Sequence, residues 1–92
     1  MGVGATSNII TVDSPGDVGN FTSLVLNSSG FPVISYYDNT NGDLKLAVCA
    51  DTLCTSKTLT TVDNSTNQVG QYTSIVLNSS GFPVISYYDF TA

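Results

Sequence analysis

Apolar residues along this chain fall in short runs separated by turn-forming residues, and the runs are too short and too β-branched for helices. Thr22–Leu26 carries Leu24-Val25-Leu26, Phe31–Tyr37 carries Val33-Ile34 and two tyrosines, and Leu44–Cys49 and Lys57–Val62 follow. Between them stand Asn27-Ser28-Ser29-Gly30, the polar stretch Asp38–Asp43 with its Asn41-Gly42 pair, and the loop Ala50–Cys54. Val, Ile, Thr, Tyr and Phe fit a pleated surface, and Asn-Gly is a strong hairpin signal. The pattern predicts four strands, labelled A to D in that order, with Gly30 at a turn position that favours positive φ. Pro32 lies at the start of strand B, where a missing N–H is tolerated. Strands A and B place apolar side chains on both faces. A sheet wetted on one side would alternate, so these strands are expected to be covered on both sides. No segment shows helical periodicity with caps.

The pattern then recurs. Val18–Asp38 and Val69–Asp89, offset by 51 positions, are identical at 18 of 21 places; the differences are Asn20/Gln71, Phe21/Tyr72 and Leu24/Ile75. Thr11-Val12-Asp13 recurs as Thr61-Val62-Asp63 at an offset of 50, so one extra residue falls in the polar segment after Asp63. A fixed period with a slip inside a loop is the mark of a repeat architecture. By this alignment the chain opens with a D-type strand at 6–13, runs through A–D at 22–63, and ends with an A–B pair at 72–89. Met1–Ala5 then reads as a flexible Gly-rich lead, leaving one C strand missing.

The stretch TSLVLNSSGFPVISYYDNTNGDLKLAVC resembles the blade repeats of bacterial β-propellers, close in layout to NHL-type blades, over residues 7 to 89. Repeats similar to PVISYYD-x-TNGDLK occur in tandem arrays of secreted or surface proteins. The resemblance implies an all-β fold of four-stranded antiparallel blades, with two blade equivalents in this chain. It implies no particular chemistry, because one fold hosts many functions. Propellers typically have four to eight blades, so the reading requires completion of the ring by other copies. The N-terminal D strand and the C-terminal A–B pair would be halves of a composite blade shared between copies. A homotrimer with six blades is the first expectation and a tetramer with eight the second.

Composition narrows the partners. The chain has 92 residues, a net charge of −5, two lysines (Lys45 and Lys57), and no Arg or His. Nucleic acid and anionic membrane surfaces both call for a basic face, which this chain lacks. No apolar run approaches the length of a membrane helix. Met1–Ala5 has neither the basic region nor the apolar core of a signal peptide; its Gly2 start matches a myristoylation pattern, for which a second anchor is missing.

Candidate chemistry is sparse. Cys49 and Cys54 stand across the C–D hairpin and are expected to form a disulfide, with about 2 kcal/mol or less of loop-entropy stabilisation. Such a bond favours a secreted or cell-surface location. A zinc site would lack ligands, since there is no His and no third Cys. Asp38–Asp43 has oxygen ligands and a Gly but not the acid spacing of an EF-hand, and reads as a turn. No metal or other cofactor is expected. Without His there is no base for a Ser nucleophile, and no catalytic motif can be placed. The expectation is a non-enzymatic, self-assembling module with a structural or binding role. A lectin-like alternative would use Tyr36, Asp38, Tyr87 and Asp89 as a sugar surface. A fragment of a propeller hydrolase, with paired Asp residues, is a further alternative. Four N-x-S/T sequons, at Asn20, Asn27, Asn64 and Asn78, are ordinary for a chain this rich in Asn, Ser and Thr.

Overall fold

A computed structural model describes residues 2–5, 8–14, 16, 18–64 and 69–89. They form eight strands: β1 (Gly2–Ala5), β2 (Asn8–Thr11), β3 (Val18–Leu26), β4 (Pro32–Asp38), β5 (Asp43–Cys49), β6 (Lys57–Asp63), β7 (Val69–Leu77) and β8 (Pro83–Asp89). All pairing is antiparallel. The strands make three sheets, one of four strands in the order β3-β4-β5-β6 and two of two strands, β1-β2 and β7-β8. The four predicted strands A to D are β3 to β6, with β3 starting four residues earlier than expected.

Gly2–Ala5 is not a lead. It pairs with β2 as Gly2↔Thr11, Val3↔Ile10, Gly4↔Ile9 and Ala5↔Asn8. A strand therefore stands where the alignment leaves none. It escaped the alignment because only residues 6 and 7 separate Ala5 from Asn8, whereas 49–57 separate the partners Val48 and Thr58. Thr6 and Ser7, placed in the expected N-terminal strand, lie outside the described residues, as do the first residue of the Gly-rich start, part of the segment crossing to β7, and positions 90–92.

The duplicated hairpins share one register. Leu24↔Ile34, Val25↔Val33 and Leu26↔Pro32 recur as Ile75↔Ile85, Val76↔Val84 and Leu77↔Pro83, with two bulges at matching positions. The turns recur too. Asn27 Oδ1 accepts from the amides of Ser29 (2.9 Å) and Phe31 (3.0 Å), and Asn78 Oδ1 does the same for Ser80 and Phe82. Each asparagine thus holds its own turn closed.

The bulges aim aromatic rings. Phe21 and Tyr72 sit at φ 54° and 53°, a left-handed conformation that costs a bulky residue strain. In return Phe21 meets Tyr72 at 4.5 Å between centroids and Tyr37 at 6.1 Å, and Tyr72 meets Tyr88 at 5.9 Å. The four rings form a row across the junction of the two hairpins, with contacts worth about 0.5–1.5 kcal/mol each beyond area burial.

β4 is the centre of the molecule, and all seven of its residues are buried. Ile34 and Tyr36 project to one face, alongside Ala47 and Cys49 of β5, and form a core cluster with Val12 and Cys54. Val33, Ser35 and Tyr37 alternate to the other face, onto which β7 packs. The close approach of β7 depends on Gly70. Its φ is 108°, and a Cβ there would lie 2.7 Å from Leu44 Cα and 2.9 Å from Leu44 N. Beside it the Val69 amide donates to the Gly42 carbonyl (3.0 Å).

Gly70→Ala is predicted to cost about 2 kcal/mol or more, because it combines backbone strain with a clash against backbone atoms that cannot rotate away. Gly30→Ala shares the positive φ but meets nothing within 4 Å, and is predicted to cost about 1 kcal/mol. Urea denaturation of the two variants gives the comparison, and equal losses would mean that the contact with Leu44 contributes nothing.

Candidate functional site

The most developed polar arrangement joins the N-terminal segment to the central sheet. Asp13 follows β2, is 5% exposed, and accepts a hydrogen bond from Tyr36 Oη (2.6 Å) on β4 and one from Lys45 Nζ (2.9 Å) on β5. Tyr36 and Lys45 are paired across the β4–β5 ladder, so both side chains reach the same carboxylate from one face. Lys45 Nζ also lies 5.9 Å from the Tyr36 ring centroid. Burial by itself would raise the Asp13 carboxyl. The bonds from Tyr36 and Lys45, with the ammonium's charge, outweigh it and hold the group below its ordinary value of 3.8. Burial first, and the bond to Asp13 second, push the Tyr36 phenol well above its ordinary 10.0.

The duplicate repeats half of this arrangement. Tyr87 Oη donates to Asp63 Oδ2 at 2.9 Å. That bond, followed by burial, raises the Tyr87 phenol. A Tyr on a B-type strand reaching back to the Asp at the end of the preceding D-type strand is thus a recurring link between successive sheets. In the second copy, though, the link is exposed.

The expected sugar surface does not form at its first half. Tyr36 is fully buried and its hydroxyl is committed to Asp13. Asp38 is 3% exposed and closes its own turn: Oδ1 accepts from the Thr40 and Asn41 amides (3.0 and 3.2 Å) and Oδ2 from Asn41 Nδ2 (2.8 Å). Tyr36 and Asp38 are therefore structural, because two-sided burial leaves neither open to a ligand. Tyr87 is exposed and Asp89 half-buried on β8. The Asp38 contacts also account for the oxygen-rich turn. Burial, and then the charge of Asp38, raise the Asp43 carboxyl. No group of three or more acidic, Cys or His side chains converges among the described residues.

Cys49 and Cys54 form the expected disulfide, with a Cα–Cα distance of 4.7 Å. Both belong to the core cluster, so the bond supplies packed volume as well as loop restraint. The loop estimate of about 2 kcal/mol or less therefore leaves out the packing that the bond adds to the core. Asp51 organises the loop between the cysteines and β6, accepting from the amides of Leu53, Thr55 and Ser56 and from the Thr55 hydroxyl. The Thr55 hydroxyl and then its amide lead in holding the Asp51 carboxyl low.

An open cleft of about 510 Å³ lies between the two Asn-Ser-Ser-Gly turns, lined by Asn27, Ser28, Leu77 and Asn78–Gly81. Both Asn Oδ1 atoms facing this region are spent on their turns.

The surface carries a larger signal. β4 and β8 have the same sequence, PVISYYD, yet β4 is buried throughout and no residue of β8 is. Val33 is 3% exposed and its counterpart Val84 52%; Tyr36 is 0% and Tyr87 42%. β3 and β7 invert the relation: Ile75 is 4% exposed, its counterpart Leu24 50%. Comparison with protein-family models, with curated proteins and with solved structures finds no match to this chain.

Stability is predicted to fall at both ends of the pH scale. Asp13 is held below 3.8, so its contribution is complete above that pH and drains as acid protonates it in the fold. Asp43, shifted up, offsets part of this loss. The Tyr36 contribution is complete below pH 10 and drains above it, where the unfolded phenol ionises first. Tyr36→Phe is predicted to cost about 1.5–3 kcal/mol at neutral pH, the range of a hydrogen bond to a charged group. It should also shrink the loss above pH 10. Urea titrations across pH measure both, and an unchanged pH profile in the variant would remove the Tyr36–Asp13 bond from the account.

Proposed function

We propose that this chain is a non-enzymatic β-propeller module that assembles head to tail with copies of itself and serves as a structural or binding element. The observation that supports it is the identical heptapeptide, buried throughout as β4 and without a single buried residue as β8. A sequence with apolar side chains on both faces is suited to cover on both faces, and only one of its two copies has that cover here. The bare surfaces match. β8 and the outer side of β7 lack the neighbour that β7 gives to β3 and β4, while β3 lacks one on its far side, where Leu24 is exposed. One contact between copies supplies both, and such a heterologous contact closes into a ring when its rotation fits.

The described residues of each chain supply eight strands, two four-stranded sets. Three copies give six blades and a particle of 3 × 9.6 = 28.8 kDa; four copies give eight blades. The trimer is the first expectation. The disulfide suits an oxidising compartment, which favours a secreted or surface setting.

The test uses the two valines. Val33→Asp places a charge in a covered site and is predicted to unfold the chain. Val84→Asp, at the same place in the second hairpin, would be nearly neutral in an isolated chain, as surface changes are, typically within about 0.5 kcal/mol. In the assembly it is predicted to shift the native mass towards 9.6 kDa and lower the melting temperature. Light scattering and circular dichroism read these outcomes. An unmodified chain that is folded and monomeric at micromolar concentration contradicts the proposal.

A further inference from the structure

The described strands contain a template for the seam between copies. β2 matches β6 through Thr11-Val12-Asp13 and Thr61-Val62-Asp63. Its partner β1 stands to it as β5 stands to β6. Thr11, Ile10, Ile9 and Asn8 pair with Gly2, Val3, Gly4 and Ala5. Their counterparts Thr61, Thr60, Leu59 and Thr58 pair with Lys45, Leu46, Ala47 and Val48. β1 therefore occupies the C-strand position of its own sheet. Its edge away from β2 is unpaired among the described strands, and so is the edge of β8 away from β7. In the central sheet these are the two edges that meet, as β4 and β5.

We infer that β8 of one copy pairs antiparallel with β1 of the next, completing a four-stranded sheet in the order β7-β8-β1-β2 across the seam. The register follows from the β4–β5 ladder. Val33↔Val48, Ile34↔Ala47, Ser35↔Leu46 and Tyr36↔Lys45 translate into Val84↔Ala5, Ile85↔Gly4, Ser86↔Val3 and Tyr87↔Gly2. The occupant is a second copy of this chain because the segment leaving β2 and strand β7 lie on opposite faces of the central sheet. The segment after β2 reaches the Ile34 and Tyr36 face through Val12 and Asp13, and β7 packs on the other. Within one molecule the free edges of β1 and β8 do not pair. Pairing also removes two open strand edges, which otherwise invite aggregation. The inference rests on the proposed head-to-tail assembly and adds to it the strand that closes the seam and the register of the closure.

Paired cysteines test it. Facing residues in a ladder lie about 4.5–5.5 Å apart, within disulfide reach, whereas diagonal neighbours lie about 7–8 Å apart. Two in-register variants, Val3→Cys with Ser86→Cys and Ala5→Cys with Val84→Cys, are oxidised under native conditions beside an off-register control, Val3→Cys with Val84→Cys. Non-reducing gels are predicted to show covalent multimers for at least one in-register pair and several-fold less for the control. Should one in-register variant fail to fold, the other decides. An assembled particle whose in-register pairs do not cross-link, cross-link no better than the control, or cross-link only within a single chain overturns the seam while leaving self-assembly standing. A monomeric native mass for the unmodified chain overturns both.

Discussion

A strand that is apolar on both faces has to be covered on both faces, and its backbone groups need partners along both edges. β4 has all four kinds of cover. β3 and β5 take its edges, the segment around Val12 and Asp13 takes one face, and β7 takes the other. The remaining features of the structure serve that arrangement. The disulfide fills the cluster beneath Ile34, Gly70 lets β7 come close to β5, and the strained bulges at Phe21 and Tyr72 turn rings into the junction between the hairpins.

The link between Asp13 and Tyr36 shows how local sequence becomes long-range order. An acidic residue just after a D-type strand is placed where the next B-type strand presents a phenol, and Lys45 neutralises the charge that burial would otherwise penalise. The repeat of this link at Asp63 and Tyr87 ties the second hairpin to the central sheet in the same way. What differs between the two sites is cover. Identical residues are closed off from solvent in one and open in the other, so the difference comes from neighbours and not from composition.

Much of this was legible in the sequence. Strand order, the turns at Asn27 and Asn78, the disulfide, and double-sided burial of PVISYYD at β4 all follow from local patterns and from the duplication. β1 was not legible, because its hairpin connection is so short that the offset matching β2 to β6 carries the alignment past β5, and because Gly-Val-Gly-Ala carries little strand signal. The bulges were hidden because a left-handed aromatic has no propensity signature. Tyr36 and Asp38 have the residue types of a sugar surface, yet the same pattern puts their strand under cover. The repeat could not say which of its two copies would be enclosed.

Residue-resolved amide hydrogen exchange on the native particle tests the central claim most directly, because β4 and β8 serve as internal standards of identical sequence. If neighbouring copies cover β8, the amides of residues 84–89 will be protected at micromolar concentration to a degree approaching those of 33–38, and dilution will remove that protection from β8 before β4. If β8 exchanges as an open edge strand at every concentration while β4 is protected, the two copies of the strand have different fates, and the account of a shared blade is wrong.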